Sequence, residues 1–131
     1  MVETGVVISG GNPHYWHLPN GRSGGYLPDS RQLWDVLWEL SSSNALDGFA
    51  HTHPGSGEPF PSYTDLTTFE AVEAGLGRRV DWWISSSNRT IVIRWNPQLN
   101  VYEITPCIKE PNWVRELRIL SGISTEMSKV Q

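Results

Sequence analysis

The sequence has 131 residues, 38% of them hydrophobic and 18% charged, with a formal net charge of −4 and a pI near 5.5. That length fits one domain burying about two thirds of the surface its unfolded chain exposes, and the balance of residue types excludes a disordered chain. The ten Lys and Arg residues are scattered, which argues against a nucleic-acid footprint; the single cysteine, Cys107, excludes an intrachain disulfide; and no apolar run approaches a membrane span.

The first residues, Met-Val-Glu-Thr-Gly, lack the basic and apolar regions of a signal peptide, so a cytoplasmic protein is expected. Val2 to Ser9 is rich in Val and Ile and closes on Gly10-Gly11, which predicts a buried strand and a turn. His14 to Leu18 predicts a second strand, and Pro19 to Pro28 a loop. Asp29 and Ser30 are good helix caps, and Leu33, Val36, Leu37 and Leu40 follow at i, i+3, i+4 and i+7. Trp34 and Trp38 lie one turn apart on that helix and are expected to pack.

Leu46 to His53 predicts the next strand, stopped by Pro54. After a Gly/Pro-rich loop, Ser62 reads as a helix N-cap with Asp65 as its capping-box partner. Leu66, Phe69, Val72 and Leu76 give this helix an apolar face, and Gly75 and Gly77 bracket its end, where Arg78-Arg79 needs no ligand. Asp81–Ser85, Thr90–Trp95 and Val101–Thr105 predict three strands joined by turns, with Trp82 and Trp83 facing opposite ways. Trp113 to Leu120 predicts a short helix. The expected organisation is one mixed α/β domain over residues 1–122, roughly two helices on one sheet, with a flexible tail at 123–131. Cys107 is expected to be a small buried residue.

The chemistry concentrates between His51 and Asp65. Side chains alternate along a strand, so His51 and His53 share one face at the strand's mouth. Asp65, in the first turn of the next helix, offers an oxygen as the chain returns. Two imidazoles, a carboxylate and a water form a four-coordinate catalytic zinc site with an open position. Hydrolysis also needs a carboxylate outside the ligand set to carry the proton. Glu3, Glu58, Glu70 and Glu73 are candidates. Glu3 is favoured because it opens a glycine-punctuated strand able to lie beside the histidine strand. Ser62, next to the ligand helix, can donate to an oxyanion. His14 and His17 lie outside this pattern and are read as surface or groove residues.

His51-Thr52-His53-Pro54, a short loop, and then Pro61-Ser62-Tyr63-Thr64-Asp65 resembles the H-x-H-P and P-S-x-x-D signature of the JAB/JAMM (MPN-plus) metalloproteases. Glu3-Thr4-Gly5-Val6-Val7-Ile8-Ser9-Gly10 resembles the E-x-G-x-L-x-G segment of that family. The wording around these motifs is similar to that of the stand-alone prokaryotic members. The resemblance runs from about Glu3 to Ile104. It implies a cytidine-deaminase-like α/β sandwich, with a mixed central sheet flanked by helices. It implies one Zn²⁺ per chain on His51, His53 and Asp65, with Glu3 as acid/base and Ser62 in the oxyanion hole. The implied activity is cleavage of a peptide or isopeptide bond after the C-terminal glycine of a ubiquitin-like protein. Ubiquitin-like conjugation enzymes are implied associates. The alternatives are processing of a sulfur-carrier protein or small-molecule adduct, and a non-catalytic scaffold. A DNA-associated role of the RadC kind fits poorly with the acidic pI.

Two departures stand out. The loop from Pro54 to Pro61 is one residue longer than the family's usual spacing. The sequence also begins two residues before Glu3, where the family carries a further strand and helix. A homodimer or partner contact at the N-terminal edge is therefore expected.

Overall fold

The computed structural model describes residues 3–18, 31–54 and 58–123, which form a mixed α/β unit of three helices and a six-stranded sheet. In chain order these are β1 (Gly5–Ser9), β2 (Asn12–His17), α1 (Arg31–Ser42), β3 (Leu46–Thr52), α2 (Tyr63–Leu76), β4 (Asp81–Ser85), β5 (Thr90–Asn96), β6 (Val101–Pro106) and α3 (Trp113–Ser121). The sheet order is β2-β1-β3-β4-β5-β6. Only β3 and β4 run parallel among the described pairs, with Gly48 opposite Asp81 and Thr52 opposite Ser85. The remaining neighbours are antiparallel.

Strand alternation sorts the apolar side chains onto two faces. Val7, Phe49, Trp82, Ile84, Ile91 and Ile93 pack with Leu33, Leu37 and Leu40 of α1 and Phe69, Val72 and Leu76 of α2. Val6, Ile8 and Ala50 pack on the opposite face with Trp113, Val114 and Leu117 of α3, and Trp16 and Trp83 lean on that cluster. The expectation of two helices on one sheet is thus too small. α3 covers the second face, which is why β3 is buried on both sides along nearly its whole length, polar His51 and Thr52 included.

Trp82 and Trp83 do face opposite ways, Trp82 stacking on Phe69 and Trp83 meeting Trp113 edge-on. Trp34 packs against the larger cluster. Trp38 does not share this burial: it remains half exposed, because Leu33, Leu37 and Leu40 hold the inward face of α1. Cys107 is only partly buried, since it follows the edge strand β6. The Pro19–Pro28 loop, the caps Asp29 and Ser30, and residues 124–131 of the expected tail lie outside the described residues. Ile123 is described, and its N–H donates to the Arg118 carbonyl beyond the left-handed cap Gly122. No described helix is long and apolar enough to cross a membrane.

The N-terminal strand is not the edge expected from the sequence. β1 is hydrogen-bonded on both sides, by β2 and by β3, so the edge on this side of the sheet is β2.

At the β3–β4 junction the strands come so close that a Cβ on Gly48 would lie 1.7 Å from the Asp81 carbonyl oxygen. That neighbour is backbone and cannot rotate away. Gly48→Ala is expected to destabilise the fold by about 3 kcal/mol or more. Urea unfolding of the variant beside wild type checks this, and an unchanged midpoint would contradict the close approach.

Candidate metal centre

The site lies where β3 ends and α2 begins. Phe49, His51 and His53 follow the same alternation, which aims both imidazoles toward the α2 side of the sheet. His51 is fully buried, its ring edge-on to His53 at 5.2 Å and to Phe69 at 6.2 Å between centroids. His53 is one residue past the strand and is held by its N–H donating to the Ser85 carbonyl of β4 at 3.0 Å. Its side chain keeps 19% of its surface exposed, so the site opens to solvent on this side.

Asp65 arrives from α2. Ser62 is the N-cap in extended conformation: its Oγ accepts the Asp65 N–H at 3.0 Å, and Asp65 Oδ2 accepts the Ser62 N–H at 2.9 Å. This is the capping box read from the sequence, closed by Asp in place of the commoner Glu or Gln. The same carboxylate has Oδ2 3.0 Å from His53 Nε2 and Oδ1 3.4 Å from His51 Nε2. Burial alone would raise its pKa. The two imidazoles and the Ser62 amide outweigh that and hold it well below the usual carboxylate range. Ser62 itself is exposed, and accepting one bond leaves its hydroxyl hydrogen able to donate.

Glu3 reaches the same place from β1. Gly5 lies opposite His51, and the pairing continues as Thr52 N–H donates to the Thr4 carbonyl and Thr4 N–H to Thr52 Oγ1. Gly5 is required here, since a Cβ would come within 2.3 Å of the buried Phe49 ring. Glu3 is buried, with Oε1 lacking a hydrogen-bond partner; His51 Nδ1 lacks one too, and His51 Nε2 has only the long 3.4 Å ion-pair contact with Asp65. Burial, and secondly the charge of Asp65, push the Glu3 pKa up to about 8. Burial lowers the His51 pKa, favouring the neutral imidazole that a metal requires.

One ligand atom each from Glu3, His51 and His53 lies within 4.8 Å of the others, a group compatible with a metal ion, though not identifying one. The donor chemistry fits: two imidazoles, a carboxylate oxygen and buried polar atoms without hydrogen-bond partners lie together. Such orphaned atoms are costly unless something satisfies them. Asp65 is outside that group of three and joins it by its contacts to the two histidines, and Ser62 is tied in only through its capping bonds to Asp65. Glu3, read from the sequence only as a proton carrier, also lies at ligand distance.

The other carboxylates do different work. Glu58 is exposed and paired with Arg89. Glu70 is exposed on α2. Glu73 is buried, but it accepts bonds from Val80 N–H, Trp82 Nε1, Arg79 and the Tyr102 hydroxyl, well supplied as a structural anion. Sequence reading missed this last network, although the residue pattern Glu73, Arg79, Trp82 carries its donors. His14 is exposed, and His17 is half-buried on β2 beside Tyr15. No protein-family model matches the chain, and no curated protein matches it.

Ser62→Ala removes the acceptor for the Asp65 amide but keeps the backbone N–H that holds the Asp65 carboxylate. It is expected to cost about 1 kcal/mol of stability while sparing metal uptake. Thermal unfolding and metal content of the purified variant check both halves.

Proposed function

We propose that this chain is a zinc metallopeptidase of the JAB/JAMM type, with the cytidine-deaminase-like sandwich of that family. Its proposed reaction is hydrolysis of the peptide or isopeptide bond after the C-terminal glycine of a ubiquitin-like protein. The observation that carries the reading is the convergence of His51, His53 and Asp65 beside a second buried carboxylate, Glu3. These residues match the family signature in both identity and order. The cytoplasm is the proposed location, and ubiquitin-like conjugation enzymes are the proposed associates.

His51, His53 and Asp65 would hold the metal, and the capping box would fix the Asp65 carboxylate. When bound, zinc supplies Lewis acidity, which brings the pKa of water from ~15.7 down toward ~7. Glu3 takes the proton of the attacking water and later delivers it to the leaving amine. A pKa raised by burial suits that exchange near neutrality. The Ser62 hydroxyl donates to the carbonyl oxygen as negative charge builds on it. His53, at the open side, borders the approach of the scissile bond.

Two carboxylates next to two imidazoles leave a choice between Asp65 and Glu3 as third ligand. The hydrogen bond of Asp65 to His53 and its 3.4 Å approach to His51 favour Asp65. Substitution separates them. Wild type is expected to carry close to one zinc per chain by plasma mass spectrometry, and His53→Ala and Asp65→Ala to lose it. Glu3→Gln is expected to keep zinc and to lose turnover on a glycine-linked ubiquitin-like fusion by about 10²–10⁴-fold. Loss of zinc in Glu3→Gln would move Glu3 into the ligand set. A wild type that holds no zinc after metal supply would overturn the reading.

A further inference from the structure

Behind the metal centre, on the α3 face of the sheet, a buried polar chain runs from α3 to the end of β4. Arg118 is 9% exposed, and all three guanidinium nitrogens donate, to three partner residues. Nε donates to the Ser86 carbonyl at 2.7 Å. Nη1 and Nη2 donate to the two oxygens of Glu110 at 2.8 and 2.6 Å, and Nη2 also reaches Thr90 Oγ1 at 3.5 Å. Thr90 Oγ1 donates to Glu110 Oε2 at 2.6 Å and lies 2.8 Å from Ser85 Oγ. Ser85 and Ser86 are completely buried.

A buried Arg–Glu pair adds little net stability compared with apolar residues of the same volume, because both charges must leave water. Its value lies in fixing geometry. Here the fixed element is the end of β4, and the Ser85 carbonyl is what holds His53. His53 has already left β3, so this bond is the backbone tie that sets where its imidazole stands.

We infer that Arg118, with Glu110 and Thr90, is a positioning element for the metal ligand His53, acting through Ser85 and Ser86 across the sheet. The inference rests on the metal reading above for its binding consequence. Its structural half stands apart from any metal: loosening the brace frees the end of β4 and with it the His53 amide.

The test uses Arg118→Met and the near-isosteric Thr90→Val, beside Val114→Ala as a control. Val114 is buried on the same helix and belongs to the apolar packing, so its truncation loosens α3 without touching the brace. Two quantities are read. One is amide hydrogen exchange of His53 relative to Ala50, mid-strand in β3, in metal-free protein. The other is the zinc dissociation constant by chelator competition, with the cobalt(II) absorption spectrum reporting ligand geometry.

The brace variants are expected to speed His53 exchange relative to Ala50, to weaken zinc binding by about 10–100-fold and to shift the cobalt bands. Val114→Ala is expected to leave the exchange ratio and the cobalt bands as in wild type. Should Arg118→Met fail to fold, Thr90→Val carries the test alone. Brace and control variants behaving alike would overturn the inference, leaving a merely structural role. A wild type without zinc affinity would sink the metal reading, while the exchange ratio would still decide whether the brace holds His53.

Discussion

The parallel pairing of β3 with β4 is the constraint on which the rest of the molecule depends. Parallel neighbours cannot be joined by a tight turn, so the chain must cross back over the sheet. α2 is that crossover. It must begin where β3 ends, which places the first turn of a helix beside the last residues of a buried strand. His51 and His53 come from the strand end, and Asp65 from the first helical turn. Their meeting follows from topology, as does the general tendency of ligand sites in open sheets to lie past the carboxyl ends of strands. The antiparallel partner β1 then completes the site from the other side, because the Thr4–Thr52 bonds extend that pairing as far as Glu3.

Two buried carboxylates on one helix show what the local surroundings decide. Asp65 and Glu73 are both almost fully buried in α2. Glu73 faces two N–H donors, a hydroxyl and a guanidinium, and behaves as a satisfied anion that ties α2 to β4 and β6. Arg79 extends this tie by lying 4.2 Å over the Trp95 ring. Asp65 instead faces two imidazoles, and beyond them Glu3 with an oxygen that nothing satisfies. A carboxylate given four donors, Glu73, thus contrasts with a corner where Glu3 Oε1 and His51 Nδ1 have no hydrogen-bond partner, which is costly for stability.

Much of this was legible in the sequence, for identifiable reasons. The capping box announces α2 through Ser62 and Asp65, the i, i+3, i+4, i+7 apolar pattern announces α1, and alternation puts His51 and His53 on one face. The strands from β3 to β6 fall within a residue of their expected bounds. What the sequence hid is non-local. The turn at Gly10-Gly11 and a strand after it are legible, but that strand is expected at His14–Leu18 rather than Asn12–His17, and its half-exposed residues do not say that it pairs with β1 and so shields the Glu3 strand from the edge. The outward turn of Trp38 depends on which neighbours α1 meets. The partition of α3 to the second face depends on sheet order, and the Arg118–Glu110 pair could not be seen before α3 was placed there.

The coincidence of helix start and proposed metal ligand in Asp65 also has a physical consequence for how firmly the site is held. A free aspartate would lose rotamer freedom on taking up a fixed geometry. Here the carboxylate is already fixed by the Ser62 N–H, and the Ser62 hydroxyl by the Asp65 N–H, because the first turn of α2 needs those bonds anyway. The helix's positive end lies at the same place and favours the ionised carboxylate. His51 is locked by burial against Phe69, and His53 by its backbone tie to Ser85. Each group is therefore oriented by an interaction the fold makes for its own sake. The histidine strand, the crossover helix and the Glu3 strand arrive with their side chains already aimed, which is the preorganisation that metal ligation and proton transfer both require.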